Sequence, residues 1–331
     1  MYFWTNRHLT VCGLVIGFLG CAGEEPSAYG VTLGAHDTPV VTVAFSTSGK
    51  TAYSADGESF ILAWDVDSAK PLLGGSMFRR ARTVALSPDG KVGVVAVRNV
   101  VRTLDLENVR EVNTFESGID SATSFPTYVH LSSDGSRGLF VAYGGHASLW
   151  NLLDGRALHP NLGITGGYYD RDASSFSPDD SLVSIASSAR SNVQIRDAET
   201  GKLVRTVLAD KRGTRSTGFS LNGAEIAIVG IDNNSRLWSV QSGALLTSFD
   251  ASKFSSINRI AFSSYGNSMI TAHNDGWITI WDIQTGSSLK HFYAHDGWVE
   301  TIAVSLDGRG LVSGGSDGSV RYWNLVEILA D

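Results

Sequence analysis

Gly314-Gly315-Ser316-Asp317-Gly318 has the G-x-S-x-G spacing that, on a strand-to-helix turn, exposes a serine as an acyl-transfer nucleophile. His291 and His295 stand four apart, which on a helix would aim two imidazoles at one metal ion. Asp232, Asp275 and Asp317 offer carboxylates for acid-base work. Context weakens each reading. The places equivalent to GGSDG read HNDGW and IDNNS further back, so the segment is a recurring hairpin turn and not an elbow. The pattern around the two histidines is not helical, and each aspartate occupies its own copy of the turn, where a carboxylate caps backbone N–H groups. No P-loop, dinucleotide fingerprint, EF-hand or thiolate metal pattern occurs. No metal, cofactor or catalytic residue is expected.

The elements that carry these residues are strands. Of 331 residues, 43% are hydrophobic and 18% charged, enough to bury a sizeable core, and Val, Ile, Thr and aromatic residues crowd short alternating runs. Both cysteines, Cys12 and Cys21, fall at the amino end, so the rest of the chain must fold on packing without disulfides. A formal net charge of −7 argues against nucleic acid as a partner.

From Val43 onward one unit recurs seven times, most visibly as VAFSTSG, VALSPDG, VHLSSDG, SSFSPDD, TGFSLNG, IAFSSYG and IAVSLDG. Each copy is followed by a second marker, WDV, LDL, WNL, RDA, WSV, WDI or WNL, at spacings of 40, 46, 46, 42, 43 and 42 residues. This period with W-D pairs resembles the WD-repeat family. The resemblance implies an all-β, seven-bladed β-propeller of four-stranded antiparallel blades over residues 29–331, closed by an N-terminal strand at about 29–33 that completes blade seven. It also implies a structural hydrogen-bonded tetrad at His295, Ser313, Asp317 and Trp323. A second such set is His36, Ser54, Asp56 and Trp64, with two more residues between its aspartate and tryptophan.

Leu9 to Gly20 is an apolar run after Arg7 and His8, too short to cross a bilayer as a helix and proportioned like a signal peptide. Phe18-Leu19-Gly20-Cys21 resembles the lipobox of bacterial lipoproteins, with Phe18 where leucine is usual. That resemblance implies a signal peptide over 1–20, lipidation of Cys21, a tether over 21–28, and an envelope protein, with the outer membrane favoured. An ordinary signal peptide, or an intracellular protein whose amino end is no signal at all, are the alternatives.

Loops leading into the inner strands of such a ring share one face, called the top, and vary freely over a fixed scaffold. Three of them are rich in arginine and aromatic residues, the types favoured at binding hot spots. Phe78, Arg79, Arg80 and Arg82 lead into blade two, Tyr168, Tyr169 and Arg171 into blade four, and Arg212 and Arg215 into blade five. Arg259, Trp298 and Glu300 lie near blades six and seven. The expectation is a monomeric, non-catalytic scaffold that meets a protein or peptide on this face. A propeller hydrolase or lactonase working at the channel mouth is the enzymatic alternative.

Overall fold

Turn residues punctuate the β-branched runs at nearly constant intervals, and the chain folds back at each one. The computed structural model describes residues 29–330 except 77–82, 98, 109, 118–125, 143–145, 164–173, 187–191, 209–212 and 264–266. Cys21, expected from the sequence to be lipidated, and the expected signal peptide and tether over 1–28 therefore lie outside the described residues.

The first strand, β1 (Gly30–Ala35), stands apart from its sequence neighbours. Blade one is β2 (Val40–Phe45), β3 (Thr51–Asp56), β4 (Phe60–Asp65) and β5 (Lys70–Ser76). Blade two is β6 (Thr83–Leu86), β7 (Val92–Val97), β8 (Val100–Asp105) and β9 (Arg110–Glu116). Blade three is β10 (Pro126–Leu131), β11 (Arg137–Ala142), β12 (Ala147–Asn151) and β13 (Ala157–His159). Blade four is β14 (Ser174–Phe176), β15 (Leu182–Ala186), β16 (Asn192–Asp197) and β17 (Leu203–Leu208). Blade five is β18 (Thr214–Phe219), β19 (Glu225–Gly230), β20 (Ser235–Ser239) and β21 (Leu245–Phe249). Blade six is β22 (Ile257–Phe262), β23 (Ser268–His273), β24 (Trp277–Asp282) and β25 (Ser288–Tyr293). Blade seven is β26 (Val299–Val304), β27 (Gly310–Gly315) and β28 (Ser319–Asn324), and its fourth strand is β1.

The fold is thus a seven-bladed β-propeller of four-stranded antiparallel sheets, with β1 paired antiparallel to β28 from Gly30 opposite Trp323 to Ala35 opposite Ser319. The closing strand runs over 30–35, slightly beyond the 29–33 read from sequence. Its glycines explain how it fits. A Cβ on Gly30 would lie 2.3 Å from the Trp323 ring, and one on Gly34 2.2 Å from the Trp64 ring, so β1 rests on the tryptophans of both blades at the seam.

The hydrophobic core is spread between blades. One cluster joins Leu33, Val40 and Trp64 to Val312 and Val320 across the seam between blades seven and one. Another joins Ile280 and Phe292 of blade six to Leu311 and Trp323 of blade seven. Middle strands such as β27 are buried along their whole length because a neighbouring blade covers each face.

The recurring serine turns each inner strand into the next. In blades two to five and seven its hydroxyl donates to the aspartate or asparagine two residues on, as in Ser87–Asp89 (2.6 Å), Ser177–Asp179 (2.6 Å) and Ser305–Asp307 (2.6 Å), and accepts the N–H five residues on. Glycine then takes a left-handed φ of 71° at Gly49 and 67° at Gly90. Blade four departs from this. Asp180 adopts φ 59° in glycine's place, and its carboxylate accepts the Ser133 N–H (2.8 Å) and hydroxyl (2.6 Å), tying blade four to blade three.

After β28 the chain forms a short helix, α1 (Leu325–Ala330), which the sequence reading did not include. Asn324 Oδ1 accepts the Val326 N–H at 3.1 Å as its cap, and Leu325 and Ile328 are buried in the core between blades six and seven.

Gly34→Val should lower the unfolding free energy by about 1–3 kcal/mol, because the new side chain has nowhere to go but the Trp64 ring. Gly57→Ala, whose Cβ would meet nothing within 4 Å, serves as the control in the same thermal melts.

Candidate functional site

Two sites emerge, one inside the blades and one on the top face. Inside, strand pairing puts Leu311 opposite Trp323, Ala52 opposite Trp64 and Met269 opposite Trp281. Two residues further along the same second strands stand Ser313, Ser54 and Thr271, each with its hydroxyl under the indole N–H.

In blade seven, Trp323 Nε1 donates to Ser313 Oγ at 2.9 Å, and Ser313 Oγ lies 2.7 Å from His295 Nε2. His295 Nδ1 is 3.2 Å from Asp317 Oδ1 and 2.9 Å from Ser319 Oγ. Ser319 already donates to Asp317, so the imidazole proton sits on Nδ1 and Nε2 accepts from Ser313. The bonds therefore run one way, from indole to hydroxyl to imidazole to carboxylate. Burial lowers the His295 pKa and outweighs Asp317, keeping the ring neutral. Burial opposes ionisation of Asp317 too, but hydrogen bonds from His295 and Ser319 hold its carboxyl well below the usual range.

His36, Ser54, Asp56 and Trp64 come together in blade one: Trp64 Nε1 to Ser54 Oγ is 2.8 Å, and Ser54 Oγ to His36 Nε2 is 2.7 Å. The two extra residues before Trp64 have a simple origin. Asp56 is the last residue of β3, at the register of Gly315 in blade seven, so its carboxylate comes from the strand end and not from the turn. Its Oδ2 lies 3.4 Å from His36 Nδ1, an ion-pair distance without hydrogen-bond geometry.

Blade six holds a third network that the sequence reading missed. Trp281 Nε1 donates to Thr271 Oγ1 (2.8 Å), which lies 2.9 Å from His273 Nε2. Here the histidine comes from the end of β23, with Nδ1 donating to the Ser255 carbonyl at 2.9 Å. A threonine two residues past the residue facing the tryptophan was the available signal. At that register blades two to five carry Val95, Phe140, Ile185 and Ile228. Trp150 then bonds Ser148 on its own strand (2.9 Å), and Trp238 Nε1 has no hydrogen-bond partner among the described residues.

The other chemical motifs resolve into structure. Ser316 sits in the hairpin turn between β27 and β28 and accepts the Trp298 N–H at 2.8 Å. His295 is committed to Ser313 and Asp317, while His291 Nδ1 lies 2.9 Å from Thr279 Oγ1, and among the described residues no three His, Cys, Asp or Glu side chains are grouped to hold a metal. Asp232 accepts the Asn234 N–H and pairs with Arg236 at 2.6 Å within its own turn.

On the top face, the sequence-predicted Phe78, Arg79, Arg80, Arg82, Tyr168, Tyr169, Arg171 and Arg212 lie outside the described residues. Arg215 is the second residue of β18 and half-buried, not a loop residue. Arg259 and Glu300 also belong to inner strands, β22 and β26, and line a central channel of about 610 Å³. A bulge beside each of these positions, between Thr214 and Ser216, Ile257 and Arg259, and Val299 and Thr301, lets the strand start earlier than the loop composition suggests. Trp298 does lie in a loop, just before β26, and is 40% exposed. Beside it, burial and the hydrogen bond from its hydroxyl to Asp296 (2.7 Å) push the Tyr293 phenol up to about 12, leaving a neutral donor.

Ring closure and the four-stranded antiparallel blades define the class: the protein is a seven-bladed β-propeller. The family model described as "WD domain, G-beta repeat" matches residues 243–282 and 286–324. Among curated relatives, "Nuclear distribution protein PAC1" of Arthroderma otae is 30% identical over 143 residues, covering 40% of this chain and 31% of that protein. "Autophagy-related protein 16" of Arabidopsis thaliana is 25% identical over 62% of this chain and 39% of its own length. "Eukaryotic translation initiation factor 3 subunit I" of Culex quinquefasciatus is 24% identical over 60% and 63% respectively. The chain thus spans from about a third to under two thirds of the length of these relatives. None of these names denotes an enzyme.

Ser313→Ala leaves the buried His295 Nε2 and Trp323 Nε1 without their shared partner and should cost about 2–4 kcal/mol in denaturant unfolding. Burial lowers the pKa values of His36, His273 and His295 below the roughly 6.5 of a free imidazole, so the unfolded chain binds more protons below that pH. Stability should be full above pH 6.5 and fall as pH drops beneath it. Melting temperatures that rise on acidification from pH 7 to 5 would contradict the neutral, buried assignment.

Proposed function

We propose that this protein is a non-catalytic interaction scaffold that presents its top face to a protein or peptide partner. The observation that carries the reading is the exposed Trp298, in a loop that the blade-seven network holds from beneath through Ser316 and the neighbouring Asp317. Asp296, two residues earlier, is fixed by its N–H bond to Asp317 Oδ2 at 3.0 Å. A large aromatic side chain on a rigid loop loses little entropy on binding. The names of the relatives support a role in assemblies, since one is a subunit of a translation initiation factor and others are nuclear distribution proteins.

The placement we favour is the intracellular one, a scaffold without a lipid anchor, because the relatives are fungal, plant and insect proteins whose names denote nuclear distribution, autophagy and translation initiation. The second reading, an envelope lipoprotein, rests on Phe18-Leu19-Gly20-Cys21 and draws no support from those relatives.

Fractionation and labelling with a palmitate analogue separate the two placements. The favoured reading expects the protein in the soluble fraction without label; membrane recovery with label that is lost in Cys21→Ser would establish the anchor instead. Affinity purification from the same cells should recover a stoichiometric protein partner, and its absence under gentle conditions would count against the scaffold.

A further inference from the structure

Four aromatic rings form a continuous ladder across the top of blade six. Phe254 lies 4.4 Å from His291, His291 stacks on Trp277 at 4.4 Å with 9° between the planes, and Trp277 meets Tyr293 edge-on at 5.6 Å. The ladder leads directly into blade seven. Gly276, next to Trp277, accepts the N–H groups of Ala294 and His295, and a Cβ there would lie 2.0 Å from the His295 carbonyl oxygen. Asp296, Gly297 and the exposed Trp298 follow at once.

Two observations define what this ridge would take. At its blade-six end the chain places its own cation, Lys253 Nζ, 5.1 Å over the Phe254 ring. Toward blade seven the exposed side chains that flank the rings are acidic: Asp275 in the turn before Trp277, and Asp296 in the loop before Trp298. Aromatic faces attract cations, and adjacent carboxylates add to that attraction.

We propose that the ridge from Trp277 to Trp298 is a docking surface for a basic peptide segment, with an arginine or lysine side chain over an aromatic face and its charge toward Asp275 and Asp296. This rests on the scaffold reading and gives its partner a chemistry. It also differs from the arginine-rich top face read from sequence, because the exposed charged side chains next to Trp277 and Trp298, Asp275 and Asp296, are acidic and favour a partner of the opposite charge.

A fluorescein-labelled peptide of alternating arginine and glycine, titrated with the full chain at about 0.15 M salt, tests it directly. A citrulline version of the same length keeps the shape and removes the charge. The arginine peptide should bind, the citrulline peptide should bind about tenfold more weakly, and Trp298→Ala with Asp275→Asn and Asp296→Asn should lose about tenfold while melting within a few degrees of the parent. Trp298→Ala alone, at an exposed site, covers the case in which the triple variant misfolds, and should still weaken binding several-fold. Equal affinity for both peptides, or undiminished binding by the folded variants, would overturn the proposal. Partners that copurify equally with parent and triple variant would also overturn it, while leaving the scaffold reading intact.

Discussion

Everything in this molecule depends on the backbone pairing of β1 with β28. A propeller blade buries both faces of its middle strands against neighbours, so no blade is stable by itself and an open arc would leave one face of each end blade in water. Closing the ring with a strand from the far end of the sequence removes both exposed faces at once. It also makes the seam between blades seven and one the longest-range contact in the chain, formed by residues about 290 positions apart as Gly30 meets Trp323. The seam accordingly carries reinforcement on both sides, with an indole–hydroxyl–imidazole network in each flanking blade and two glycines that let β1 approach two tryptophans.

Those networks are uneven around the ring, and one side-chain register explains the pattern. Where the second strand offers a hydroxyl opposite the space beneath the indole, a histidine can be recruited from the incoming loop, as in blades seven and one, or from the strand end, as in blade six. Where that register holds Val95, Phe140, Ile185 or Ile228, the blade relies on apolar packing. The three networked blades are consecutive across the seam. The aromatic ridge with its acidic flank stands on the same sector, so the surface offered to a partner rests on the most heavily hydrogen-bonded part of the ring.

Much of the fold was legible in the sequence because its signals are local and repeated. The serine that turns the inner strands and the W-D marker set blade number and phase, and the resemblance they carry implied the closing strand. Departures were harder to read. Asp56 does its work from a strand end, a displacement visible only once register is known. Thr271 and His273 replace the usual serine and loop histidine with residues that make the same bonds, which residue-type matching overlooks. Arg259 and Glu300, grouped by composition with the top-face candidates near blades six and seven, belong instead to bulged starts of inner strands that line the central channel. The helix α1 gave only a single turn of apolar spacing, too little to distinguish from a tail.

Hydrogen exchange along β28 tests the closed ring most directly. Its amides that face β1 should exchange as slowly as those that face β27, because both sides of the strand are paired. Exchange of the β1-facing amides as fast as at the open edge of an outer strand such as β21 would mean that the ring is not sealed by its amino-terminal strand, and the account of the seam would be wrong.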